Sequence, residues 1–281
     1  MNPAPRTRFE LIRPTARYLM ETEAHVYALA VAASVLLSFF PFCNVMLSFC
    51  RNVLHWRAAE DAIYLALNDY FPGEMAGFIK RNLSMKGDLH IGSMVLLLFT
   101  ANGIFEPLEV ALNRAWGAAQ NRSYLKNQLV ALGMIFACGG LALASVLLTA
   151  LNKQWITSWM GSLGGVRAWL NLLIFKLAAV PLSILALFLV YWLLPNRKVP
   201  PARVVPAAIG VGLVLETLKY VHMAIAPFLE AKLEHEYFIF QHSALILLWS
   251  FVAALVVLAG ADWTVRNGED SSRAEQIDPL S

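Results

Sequence analysis

Six apolar stretches, each near the length that crosses a bilayer, constrain this chain more than any other feature of it. They run from about Val26 to Phe49, Ile91 to Leu108, Leu129 to Leu151, Trp169 to Leu194, Val204 to Ala226 and Phe238 to Trp263. A helix rises about 1.5 Å per residue, so about 20 residues span the hydrocarbon layer. No water pairs with backbone groups there, so such stretches must be helical. The expected fold is therefore all-α: a polytopic membrane helix bundle with about six transmembrane helices. Composition agrees, because 58% of the residues are hydrophobic and 15% charged. A soluble chain this apolar could not cover its own surface.

The expected organisation has three parts. Residues 1–25 form a cytoplasmic N-terminal segment, 26–265 the transmembrane domain, and 266–281 a polar tail without regular structure. The first apolar stretch begins later than the core of a cleaved signal peptide and reads as a retained span. Lys and Arg are denser on the side holding Arg6, Arg13, Arg114, Arg122, Arg197 and Arg203 than on the side holding Arg51, Lys80 and Lys153. That bias puts both termini on the cytoplasmic side. The first outer loop has a pattern of its own. Ile63, Leu67, Tyr70 and Phe71 recur at helical spacing, Pro72 and Gly73 interrupt, and Met75, Phe78 and Ile79 resume. Two short amphipathic helices at about 58–83 are expected there, capping the bundle or gating a substrate.

Ionisable groups inside spans are costly and mark either a partner or a wet cavity. Lys176 lies in the fourth stretch, Glu216, Lys219 and His222 in the fifth, and His242 early in the sixth. Glu216 and Lys219 are three apart and Tyr220 is four from Glu216, so the three share a helix surface. These six residues are the candidate substrate-binding set: a polar chamber whose cations, Lys176 and Lys219, would meet an anionic head group. The structural alternative is an ion pair that joins the fourth and fifth helices. A second set, Asn102, Glu106, Glu109, Asn113 and Arg114, lies at the inner end of the second stretch. Glu106, Glu109 and Asn113 form one stripe there, which would be either a solvated helix end or a partner for Arg114.

Several chemistries have no sequence support. Cys43, Cys50 and Cys138 lie in or beside apolar stretches with no CxxC spacing, so neither a metal nor a cofactor is expected. His235 and Glu236 lack the second His of a zinc-protease helix, and no P-loop or G-x-S-x-G elbow occurs. A net charge of +3 gives no footprint for nucleic acid. The expected partners are membrane lipids. A homo-oligomer is the other candidate, because Gly139, Gly140, Ala142 and Ala144 can pack helices within one chain or between two.

Four segments resemble a known family. Ala28 to Pro41 is similar to the Ala-rich, Ser-x-x-Pro first helix of the YihY/BrkB membrane proteins. The string Leu112-Asn113-Arg114-Ala115-Trp116-Gly117 resembles that family's most distinctive motif, and Leu194 to Pro200 resembles its loop before the fifth span. Gly260-Ala261-Asp262 resembles its closing Gly-Ala-Glu, with Asp in place of Glu. The resemblance covers about Ala28 to Asp262. It implies a bacterial inner-membrane protein of about six spans, linked to envelope integrity and to lipid handling. The family's older ribonuclease label has no counterpart in these residues. The functional expectation is a transporter or flippase-like protein for an anionic lipid or other amphiphile. The alternative is a scaffolding membrane protein with no transported substrate.

Overall fold

The computed structural model describes residues 15, 17, 19–20, 23–71, 74–84, 91–118, 122–159 and 180–277. Among these residues the regular structure is all helical. In chain order the helices are α1 (Ala24–Asn52), α2 (Arg57–Tyr70), α3 (Glu74–Ser84), α4 (Ile91–Ala115), α5 (Tyr124–Trp159), α6 (Val180–Leu193), α7 (Pro201–Tyr237) and α8 (Gln241–Ile277). A single 3-10 turn, Phe238–Phe240, joins the last two.

Five helices among the described residues are long and apolar enough to cross a membrane: α1, α4, α5, α7 and the part of α8 that ends at Val265. The chain is thus a multi-pass helical membrane bundle. α6 is apolar but shorter. It carries the second part of the expected Trp169–Leu194 span; the first part, with Lys176, lies outside the described residues. α7 has 37 residues. At about 1.5 Å per residue it is much longer than the roughly 30 Å hydrocarbon layer. α8 also runs further than expected. The tail expected to lack regular structure continues as helix to Ile277. Extending a helix that already exists avoids the cost of nucleating one, so even a polar sequence can prolong it.

α1 sits centrally, packed against α4 and α8, while α8 also packs on α7. Its Ala24, Ala28 and Ala32 are buried at helical spacing, and small side chains let helices approach closely. Two apolar cores result, one toward each end. The first gathers Ala28, Phe105, Leu112, Trp116, Met134, Tyr191 and Leu258. Gly260 marks its tightest point: a Cβ there would overlap Val211 and lie 2.6 Å from the Tyr191 hydroxyl. That hydroxyl donates to Val257 O at 2.6 Å and ties α6 to α8.

The second core lies beneath the expected amphipathic pair, which forms as α2 and α3. Ile63, Ile79 and Leu83 are buried there with Cys43, Leu47, Cys50, Leu245 and Ile246. The two helices therefore cap the ends of α1, α5 and α8. Arg51, in the last turn of α1, is 2.8 Å from Glu60 Oε2 in the first turn of α2 and fixes the corner between them.

Candidate functional site

Each end of the bundle has a polar site. Beneath the cap, α6, α7 and α8 enclose a cleft of about 380 Å³. α6 contributes Ser183, Ala186 and Leu187; α7 contributes Leu215, Glu216, Lys219 and His222; α8 contributes Trp249 and Ala253. Phe71, just past α2, closes the cap side. The wall is apolar except where α7 places its charged turn. Lys219 Nζ lies 2.6 Å from Glu216 Oε1, with side-chain exposures of 7% and 24%. Both of these charges belong to one helix, while Lys176, through which the structural alternative would join two helices, lies outside the described residues.

One turn further along α7, His222 is buried. Its ring meets Trp249 edge-on, with centroids 4.3 Å apart, and faces Phe71 at 6.3 Å. Both His222 ring nitrogens and Trp249 Nε1 are buried with no hydrogen-bond partner among the described residues. Buried polar groups are nearly always satisfied, so a cluster of unsatisfied ones beside a cleft calls for a ligand or water.

The structure divides the expected substrate-binding set. Glu216, Lys219 and His222 come together. Tyr220 is adjacent without lining the cleft; Lys219 Nζ lies 5.2 Å from its ring centroid. His242 stands apart, stacked on Phe78 of α3 at 4.3 Å and 11°, near Glu230 and Glu234. The helical turn between Tyr237 and Gln241 sends it toward the cap. Lys176 lies outside the described residues. Sequence reasoning did not single out Trp249 or Ser183. A Trp far from the interfacial ends of a span is a usable signal, because its N–H needs a partner that lipid cannot supply.

At the opposite end, the second expected set forms a clasp. α4 stops in a Schellman arrangement. Ala118 N–H donates to Asn113 O at 2.9 Å and Gly117 N–H to Arg114 O at 3.2 Å, with Gly117 at φ 58°. Asn113 Oδ1 then accepts the Asn196 N–H at 2.7 Å. Arg197 Nη1 donates to Trp116 O at 3.1 Å. Arg122 returns the bond by donating to the carbonyls of Leu193, Leu194 and Pro195 at 3.2, 3.4 and 2.8 Å. These are the orphan carbonyls at the C-terminus of α6, where a cation is favoured.

Glu109 is buried within hydrogen-bonding reach of Asn113 and Asn196. The stripe expected of Glu106, Glu109 and Asn113 is split, because Glu106 is exposed while the other two are buried. Asn102 is half-buried, and Arg114 lies 5.6 Å over the Tyr27 ring. The two strings that resembled family motifs, around Asn113 and around Asn196, are thus each other's binding partners.

Comparison with known proteins gives the family. The family model described as virulence factor BrkB matches residues 15–279. The chain belongs to the BrkB family. Among its relatives, a UPF0761 membrane protein of Acinetobacter baylyi is 22% identical over 92% of this chain and 62% of its own length. One from Chlorobium chlorochromatii is 25% identical over 87% of this chain and 56% of its own length. One from Alcanivorax borkumensis is 31% identical over 62% of this chain and 40% of its own length. This BrkB-family chain therefore spans less than two thirds of the length of these relatives. No solved structure matches it.

Proposed function

We propose that this BrkB-family protein handles an anionic amphiphile, most simply a lipid, as a transporter or flippase-like protein of the bacterial inner membrane. On this reading both termini are cytoplasmic, the cleft opens toward the outer leaflet, and the activity serves envelope integrity. One observation carries it: a mostly apolar cleft whose only charged residues among the described ones are Glu216 and Lys219, beside His222 and Trp249, whose ring nitrogens have no hydrogen-bond partner among the described residues. The volume of about 380 Å³ falls within the range of about 300–1,000 Å³ typical of ligand pockets, which are mostly apolar with a few placed polar groups.

The chemistry follows from electrostatics in a low dielectric. Glu216 keeps Lys219 neutralised while the cleft is empty. An arriving phosphate or carboxylate competes for Lys219, and the His222 ring and the Trp249 N–H donate to it. Lys176, in the residues before α6, supplies a second cation in the same proposal. The test is flux of an anionic lipid across proteoliposomes. Lys219→Ala is expected to lower the rate at least tenfold with folded protein undiminished, and an unchanged rate contradicts the reading.

A second reading rests on the same ion pair. Both charges are satisfied within α7, so the pair needs no ligand, and the protein would be a scaffold. That reading expects Glu216→Gln to lower thermal stability in detergent and to leave no flux to lose.

A further inference from the structure

A second cleft, of about 300 Å³, lies between α1, α2, α5 and α6. Phe42, Cys43 and Met46 line it from α1, Ile63 and Leu67 from α2, and Cys138 and Ala142 from α5. Among the described residues no charged side chain lines it. Its fourth wall is α6, through Ser183 and Ala186, and those two residues also line the cleft that holds Lys219. They are three apart and so share one face of α6. Side chains this small make the partition low: the two clefts meet across a hydroxyl and a methyl group.

We propose that the two clefts form one binding site for an amphiphile, with its anionic head at Lys219 and its hydrocarbon tail crossing α6 at Ser183 and Ala186 into the Cys43–Cys138 cleft. This rests on the reading of the Lys219 cleft given above. Three observations favour a tail as the occupant. The charge lies wholly at one end of the joined space. The far cleft is lined mostly by apolar side chains, with Ser145 and Ser183 as its polar groups among the described residues. The two residues that line both clefts, Ser183 and Ala186, carry small side chains. Hydrocarbon burial strengthens binding by about fourfold per added methylene, so the second cleft gives the site selectivity for chain length as well as for charge.

Two photoreactive alkyl phosphates test this with the full chain in lipid nanodiscs. One carries a diazirine at the last carbon of a long chain; the other carries it beside the phosphate. The terminal probe is expected to label Cys43 to Met46 on α1 and Cys138 to Val146 on α5. The proximal probe should label Lys219 to His222 on α7. Ala142→Trp, which fills the far cleft from α5, should cut the terminal-probe labelling at least tenfold and leave the proximal labelling in place. Ala66→Trp, which fills the same cleft from α2, should do the same if the first variant does not fold. The inference is overturned if proximal labelling persists while the terminal probe marks residues outside the far cleft, such as Phe136 and Val214, equally in all three proteins. Absence of proximal labelling from α7 instead overturns the head-group site itself, and the tail route with it.

Discussion

The two ends of this bundle use polar residues in opposite ways. At the clasp, the bonds are long in sequence: Asn113 reaches Asn196, Arg197 reaches Trp116, and Arg122 reaches Leu193 to Pro195. Each joins elements that would otherwise meet only through apolar contact. Beneath the cap, the ion pair between Glu216 and Lys219 spans three residues of a single helix, and the neighbouring ring nitrogens have no hydrogen-bond partner among the described residues. Trp116 Nε1 in the clasp and Asn127 Oδ1 near the start of α5 are also buried with no partner among the described residues. Those two atoms do not line the cleft of about 380 Å³. The contrast separates architecture from binding. Polar groups that hold a fold bond across it, whereas polar groups that await a ligand surround a space.

Mutations can break or sharpen that contrast. The largest effect is expected from the clasp. Asn113→Ala removes the acceptor of the part-buried Asn196 N–H, and Arg122→Ala removes the donor to the carbonyls of Leu193, Leu194 and Pro195. Each should cost about 2–3 kcal/mol, because a group turned away from water and left unpaired carries a desolvation penalty. The double variant should cost less than the sum, since both act on the same turn after α6. Thermal unfolding in detergent measures this, and full additivity would show that the clasp is two unrelated contacts. Next comes Gly260→Ala, at about 2 kcal/mol, because the new methyl must displace Val211 and the Tyr191 hydroxyl from a filled core; the same melts read it out.

The cleft should respond in the opposite direction. His222→Phe removes two unsatisfied nitrogens and keeps the aromatic contacts with Trp249 and Phe71. It is expected to leave stability unchanged or raise it by about 1 kcal/mol while lowering lipid flux. A large loss of stability would place His222 among the structural groups and erase the distinction between the two ends. The smallest effect belongs to Arg51→Ala at the cap corner. The Arg51–Glu60 pair is partly exposed, and such pairs are worth about 0.5 kcal/mol.

Much of the architecture was legible in the sequence because lipid leaves little choice. Long apolar stretches become helices, and α1, α4, α5, α7 and α8 appear where the hydropathy placed them. The amphipathic pair was equally readable, since Ile63 and Ile79 recur at helical spacing on either side of Pro72 and Gly73. Local geometry was readable too: Glu216 and Lys219 pair because residues three apart on a helix must be neighbours. What spacing does not carry is which helix faces which. His242 appeared to belong with His222 on depth alone, yet it stacks on Phe78. Glu109 and Asn113 read as a helix end near water, yet both are buried by a turn more than eighty residues away in sequence. Trp249 carried one usable signal, an N–H deep in an apolar helix, but spacing does not say which groups surround it.

The claim on which the functional account rests is that the Lys219 cleft holds an anionic amphiphile. Native mass spectrometry of the protein released from nanodiscs of mixed charged and zwitterionic lipids measures this directly. The wild-type chain is expected to retain an anionic lipid that survives activation, and Lys219→Gln, isosteric enough to preserve the fold, is expected to lose it while still carrying zwitterionic lipids. If wild type and Lys219→Gln carry the same lipids in the same proportions, the cleft is not a head-group site.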